Sequence, residues 1–367
     1  MTEQYRHEYR HEFFKITGYT PLPYQERFHA EPAKWTLLVA PTGLGKTDAV
    51  LVDWLVRRPT NRLVWCLPSR SLTRQVAQVA SLRAPKGVAV QELMGGSEDL
   101  ERKLGPDEPA ILVGTQDILI SRALNRGYAR SPFQWPWDFG LLNNDTQWVL
   151  DEIQLLGDAL ASSSQLAGFR ERFGTFGDVP CVWMSATADE GWLETVDFRG
   201  INVRKVGLDG KDFANDVVNQ RWNAAKGLAP APSDCRLPKG CAAFVAKNHC
   251  EGQLTLVIAN TIARAREIWS DLRSLKKDPI LLHSRFRPAE RERQFQAVMA
   301  AGSGIVVSTQ VIEAGVDLDA TLMVTDVAPW ASLVQRFGRV NRKGQADGAR
   351  IFWVDRPLSN KRKSWAG

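Results

Sequence analysis

Long apolar runs are missing from this 367-residue chain. None reaches the roughly 18 residues that a membrane span needs, and the N-terminal stretch M-T-E-Q-Y-R-H-E-Y-R-H-E is too charged for a signal peptide. A cytoplasmic protein with no membrane partner is the expectation. Cysteine is scarce too: Cys66, Cys181, Cys235, Cys241 and Cys250 are too few for a disulfide framework. Cys235, Cys241, His249 and Cys250 offer four soft ligands, but their spacing lacks the close cysteine pair of most zinc sites, so free thiols in a linker are expected. The five histidines are His7, His11, His29, His249 and His283, and none is followed by Asp. An adjacent His-Asp pair, one way of building a two-metal hydrolytic centre, is therefore absent from the sequence.

What is present is globular. Hydrophobic residues make up 44% and charged residues 24%, ordinary values for a folded chain, and the length suits about two domains. A net charge of +6 favours a polyanionic partner without naming one.

The most informative stretch is W-T-L-L-V-A-P-T-G-L-G-K-T, from Trp35 to Thr47. An apolar run reads as a buried strand feeding a glycine-containing loop that opens a helix, which is the build of a phosphate cradle. Backbone N–H groups of Thr42, Gly43, Leu44 and Gly45 and the helix N-terminus would face anionic oxygens. Lys46 would reach the terminal phosphates and Thr47 would help hold Mg²⁺. Ala40 stands where the regular pattern has its first glycine. Upstream, Gln25 carries an amide able to pair with an adenine edge.

About 100 residues downstream, the strand Trp148-Val149-Leu150 delivers Asp151-Glu152-Ile153-Gln154. A carboxylate at a strand end beside a phosphate loop suits Mg²⁺, and its neighbour suits activation of the attacking water, so Asp151 reads as metal partner and Glu152 as base. Further strands end in polar turns, at Arg70 and Arg74, at Gly95-Gly96-Ser97, at Thr115 and at Ser185-Ala186-Thr187. Such turns lie where parallel sheets bind ligands and suit a sugar–phosphate chain, or are plain connections. The aromatic, proline-rich segment 131–140 reads as a packed loop or partner surface, or as rings that stack on bases.

Residues 207–250 scatter Gly, Pro, Asn and Lys and read as a linker. The expected organisation is a polar helix over 1–20, a first domain over 21–206 and a second α/β domain over 251–367, where strands and helices alternate again. In the second domain, Arg336, Arg339 and Arg342 recur every three residues and would share one face of a helix or its approach. They are either a solvated basic helix or arginines that reach a terminal phosphate.

In sequence order, A-P-T-G-L-G-K-T, D-E-I-Q, S-A-T, S-T-Q-V-I-E-A-G-V-D and Q-R-F-G-R-V-N-R resemble the motif series of superfamily 2 helicases over roughly residues 20–355. D-E-I-Q with F-G-L-L-N-N-D, L-L-H-S-R-F and Q-R-F-G-R-V-N-R-K-G resemble most the CRISPR-associated helicase of type I systems, which normally also carries an HD nuclease domain. The resemblance implies two tandem RecA-like, doubly wound parallel-sheet α/β domains with ATP and Mg²⁺ in a cleft between them. It implies single-stranded DNA as track, moved with 3′-to-5′ polarity, and a CRISPR guide-RNA surveillance complex as partner. It makes Gln25 the adenine reader, Thr42 to Thr47 with Gly315 and Asp317 the nucleotide contacts, and Asp151 with Glu152 the hydrolytic pair. It makes Arg339 and Arg342 the fingers, and Ser185 with Thr187 the coupling motif, which Gln154 and Gln335 would join. Arg70, Thr115, Asn260, His283 and Thr309 would fall along the DNA. Gln154 stands where related families have His or Asp, which bears on coupling rather than hydrolysis.

The expected activity is a nucleic-acid-stimulated ATPase without nuclease action, the nuclease lying in another chain or beyond residue 367. The alternatives are an RNA helicase or duplex remodeller of the same superfamily, and a nucleotide-dependent recruitment module without turnover.

Overall fold

The computed structural model describes residues 3–57, 60–95, 104–127, 130–313 and 318–356. The chain divides into two compact units, Met1–Asn219 and Gln220–Gly367.

The first unit opens with α1 (Glu3–Thr17) and α2 (Pro23–Ala30), then alternates β1 (Trp35–Val39), α3 (Lys46–Arg57), β2 (Arg62–Leu67), α4 (Arg70–Arg83), β3 (Ala89–Leu93), β4 (Ala110–Thr115) and α5 (Gln116–Ala123). α6 (Trp135–Asn143), β5 (Thr146–Leu150), α7 (Asp158–Phe173), β6 (Cys181–Ser185) and β7 (Arg204–Gly207) complete it. The strands form one parallel sheet in the order β3-β4-β2-β5-β6-β1-β7. Near-continuous apolar strands such as β2, buried along its whole length, suit a sheet covered on both faces. Arg62 is tolerated there because its guanidinium donates to the carbonyls of Leu141, Pro106 and Asn144. The core packs Trp35, Trp183 and Phe198 against one another. α1 is less polar than its composition implies, since Tyr9 and Phe13 are buried against Val52 of α3. Segment 131–140 is largely helical, most of it in α6, rather than a loop.

α8 (Asp216–Trp222) straddles the boundary, and the second unit continues through β8 (Gly227–Pro230), α9 (Pro238–Asn248), β9 (Leu254–Ile258), α10 (Ile262–Ser274), β10 (Ile280–Leu282), α11 (Pro288–Ala300), β11 (Gly304–Ser308), β12 (Leu322–Asp326), α12 (Trp330–Phe337) and β13 (Arg350–Val354). Its parallel sheet has the order β10-β11-β9-β12-β13-β8.

The expected linker is therefore corrected. Residues 227–230 are an edge strand paired to β13, and α9 puts Cys241, Ala242 and Val245 into a core shared with Val257, Ile268 and Val324. Small and polar residues disguised these elements, because an edge strand and a one-sided helix need few apolar positions. Cys235 and Cys241 are thus core thiols, His249 bonds the Thr255 hydroxyl at 2.9 Å and Cys250 is exposed. Among the described residues no group of three or more His, Cys, Asp or Glu is placed to hold a metal, and no helix is long and apolar enough to cross a membrane.

Candidate nucleotide and nucleic-acid site

Parallel strands share one C-terminal edge, where the loops of such sheets hold ligands. Along that edge in the first unit, the strand order places the Gly95 turn, Thr115 and Arg70 over β3, β4 and β2. Asp151, Ser185 and the phosphate loop stand over β5, β6 and β1. Residues far apart in sequence thus sort into two halves, one holding the expected DNA contacts and one the expected nucleotide contacts.

The loop from Ala40 to Gly45 leaves β1 and enters α3 at Lys46. Gly43 and Gly45 have φ of 85° and 77°, the left-handed region where a Cβ is costly. At Gly45 an added Cβ would also lie 2.9 Å from Gln25 Nε2. Lys46 is buried and donates to the carbonyls of Ala40 at 2.7 Å and Pro41 at 3.4 Å. Gln25 accepts from Leu22 N at 2.7 Å and donates to Gly45 O at 2.8 Å, so it braces the loop with one donor and one lone pair and keeps one of each. Tyr24, which the sequence reading passed over, donates to Leu44 O at 2.8 Å and is fully buried. Its signal was its place one residue before Gln25.

Asp151 is buried at the end of β5, accepting from Trp65 Nε1 at 3.3 Å and from Glu152 N at 2.8 Å. Burial, then the charge of Glu152, push its carboxyl up to about 7, with Lys46 opposing. Such an acid, close to Lys46 and at the edge that also carries the Thr47 hydroxyl, suits a divalent cation arriving with phosphates. Glu152 has φ of 50°, a left-handed conformation that costs a non-glycine residue on the order of 1–3 kcal/mol. Gln154 Nε2 donates to Glu152 Oε2 at 2.5 Å, and Gln154 Oε1 accepts from Ser185 Oγ at 2.7 Å. Ser185 Oγ in turn accepts from Thr187 N at 3.0 Å. D-E-I-Q and S-A-T are thereby one hydrogen-bonded chain with Gln154 as its middle link. Thr187 itself is exposed. Arg70, exposed at the start of α4, donates to Gly95 O, and Thr115 is buried at the end of β4.

In the second unit, His283, Thr309 and Asn260 follow β10, β11 and β9, again neighbours in the sheet. His283 stacks on Phe286 with ring centroids 4.1 Å apart, and burial lowers its pKa. Thr309 is buried. Asn260 is exposed, yet donates to Val327 O at 2.6 Å and accepts from Arg336 at 3.0 Å. The arginines do not share a helical face, because α12 ends at Phe337. Arg336 is a buried hub bonded to Glu313 Oε1 at 2.8 Å, Thr325 Oγ1 at 2.8 Å and Asp326 O at 2.9 Å. Arg339 donates to Glu313 O at 2.7 Å, and Arg342 is half-buried with its N–H on Asp319 Oδ1 at 2.6 Å. Gln335 is buried. Gly315 and Asp317 lie outside the described residues.

Residues 23–196 match the model of DEAD/DEAH box helicases, and residues 251–345 match that of the C-terminal part of the CRISPR-associated nuclease/helicase Cas3. The chain belongs to the Cas3-type superfamily 2 helicases. It is 39% identical over 339 residues to the CRISPR-associated helicase Cas3 of Thermoproteus tenax, covering 86% of this chain and 55% of that one. The chain spans about half the length of the curated Cas3 relatives it matches. Its fold is that of T. fusca Cas3 solved with ATP, at a TM-score of 0.63, 18% identity and coverage of 95% of this chain and 48% of that one. S. cerevisiae Dbp5 bound to RNA and ADP BeF3 gives a TM-score of 0.65 at 19% identity, covering 95% and 88%. The two parallel-sheet units are thus tandem RecA-like domains of a Cas3-type helicase.

Proposed function

We propose that this chain is an ATPase stimulated by nucleic acid, which moves on single-stranded DNA with 3′-to-5′ polarity in a CRISPR interference pathway. The observation that carries the reading is the hydrogen-bonded chain Glu152–Gln154–Ser185 standing beside the phosphate loop on one sheet edge, with Arg70 and Thr115 on the other half of that edge. Gly43 to Thr47 would cradle the phosphates, and Lys46 would leave its loop carbonyls for the terminal phosphates. Thr47 and Asp151 would hold Mg²⁺, whose chemistry is to neutralise charge on the transferring phosphoryl group. Glu152 would orient the attacking water and take its proton. Gln25 would read adenine with its remaining donor and acceptor. From the second domain, Arg339 and Arg342 would meet developing phosphate charge, with Gln335, Gly315 and Asp317 near the nucleotide. Asn260, His283 and Thr309 would follow the DNA.

Partners on this reading are a guide-RNA surveillance complex and a nuclease. The chain itself would hydrolyse ATP without cutting DNA, since none of its five histidines precedes an Asp.

Turnover measured with single-stranded DNA and with RNA of equal length tests the assignment. DNA should stimulate more than tenfold over RNA, and Lys46→Ala should abolish both rates. Stimulation by RNA alone would make the chain an RNA helicase, and no turnover with saturating DNA would make it a recruitment module. Labelled DNA incubated with the protein, ATP and Mg²⁺, Mn²⁺ or Ni²⁺ should stay intact. Chelator-sensitive cutting that survives Lys46→Ala would overturn the absence of nuclease action.

A further inference from the structure

The second domain opens with residues 220–226, and this segment meets the turn after α12 at three points. Lys226 Nζ donates to Phe337 O at 3.1 Å, at the C-terminal end of α12. Asn341 Nδ2 donates to Ala225 O at 3.0 Å. Gly344, with φ of 71°, lies so near Gln220 that an added Cβ would stand 2.3 Å from Gln220 O. Arg342 stands between the last two of these points in the chain. The helicase chemistry argued above uses neither Asn341 nor Lys226.

Asn341 is the pivot of the turn. It is 2% exposed and has φ of 43°, the left-handed region that Asn enters more readily than most residues. Its amide uses both donors, on Ala225 O and Ala346 O at 3.0 Å each, and Oδ1 accepts from Ala346 N at 2.9 Å. Its backbone N–H donates to Ala320 O at 2.9 Å. Just beyond it, the Asp319 carboxylate takes Arg342 N at 2.6 Å and Lys343 N at 3.3 Å. The backbone is therefore fixed on both sides of Arg342, and the left-handed step at Asn341 sets the direction in which that side chain leaves it. Lys226 is half-buried in the same cluster: burial lowers its pKa first, Asp319 opposes this and Arg342 adds to it. A relaxed φ at Asn341, or a loosened end of α12, would leave Arg342 in the chain and point it elsewhere.

We infer that Asn341 and Lys226 are positioning residues for Arg342, which tie its turn to residues 225–226 and so hold the backbone from which it would meet phosphate charge. The inference rests on the reading of Arg342 as a finger.

ATP turnover of the full chain with saturating single-stranded DNA tests it, on Asn341→Gly, Lys226→Met and Arg342→Ala, and on each of the first two combined with Arg342→Ala. Glycine keeps the left-handed φ without steric cost, so Asn341→Gly removes only the bonds of the amide. It should lower kcat about tenfold or more, since a small misplacement of a group that acts in the transition state is costly, and change KM for ATP less than about threefold. Lys226→Met should lower kcat about threefold or more, the scale of one hydrogen bond. With Arg342 already alanine, either substitution should alter kcat less than about twofold, because residues that act through one group are not additive. Lys226→Met removes a single bond of a half-buried side chain, so it carries the test if Asn341→Gly fails to give a cooperative melt. If Arg342→Ala lowers kcat and both single substitutions leave it unchanged, positioning is overturned and the finger stands. Equal losses with and without Arg342 would make Asn341 and Lys226 merely structural and also overturn it. An unchanged kcat for Arg342→Ala itself overturns the finger reading, and this inference with it.

Discussion

A single side chain can be asked for charge, for shape or for both, and the candidate site separates these demands. Glu152 sits in a left-handed conformation with its carboxylate held by Gln154. Glu152→Gln removes charge and keeps shape, so ATP binding should persist while hydrolysis slows by about 10²–10⁴, read by single-turnover kinetics beside nucleotide titration. Equal loss of binding would make Glu152 structural. Arginines of one motif divide in the same way. Arg336 is fully bonded inside the second domain, and truncating one partner of a buried pair costs about 3–5 kcal/mol. Arg336→Ala should therefore lower Tm markedly. Arg342→Ala should leave Tm within a degree or two and lower kcat far more than it raises KM. An unchanged kcat would return Arg342 to the solvated-surface reading.

At the scale of elements, the phosphate loop is held in shape by α2. Gln25 and Tyr24 both grip loop carbonyls, and a Cβ added at Gly45 would displace the Gln25 amide that holds the loop. Gly45→Ala combines that contact with a left-handed φ, which costs about 1–2 kcal/mol, and should weaken ATP binding at least tenfold by equilibrium titration. Binding within twofold of the parent would show that the loop relaxes freely. The turns after β5 and β6 are tied through Gln154. Gln154→Ala should reduce the rate gained on adding DNA more than the rate without it, because it cuts the link between Glu152 and the Ser185 turn. A parallel fall in both rates would place Gln154 in hydrolysis alone.

For the whole molecule, the second domain begins near Gln220. A fragment of residues 220–356 should fold with a cooperative transition, whereas one of residues 251–356 lacks β8, α9 and the core side chains of Cys235, Cys241 and Val245. Each such side chain contributes about 1.5–3 kcal/mol, so the shorter fragment should be unfolded or aggregated by circular dichroism and light scattering. Two fragments of equal Tm would restore the linker reading. The sequence by itself determined what is local. Strand, loop and Lys46-Thr47 are contiguous, as are β5 and Asp151-Glu152, and local chain geometry suffices to present them at strand ends. The alternation of apolar runs likewise reveals two α/β domains. Only tertiary structure decided which strands are neighbours, since pairing joins residues far apart in the chain. That order puts Asp151, Ser185 and the phosphate loop together and Arg70 beside Thr115. It also decided that Arg336 turns inward to Glu313 and Asn260, because a buried guanidinium goes where partners for its N–H groups are found.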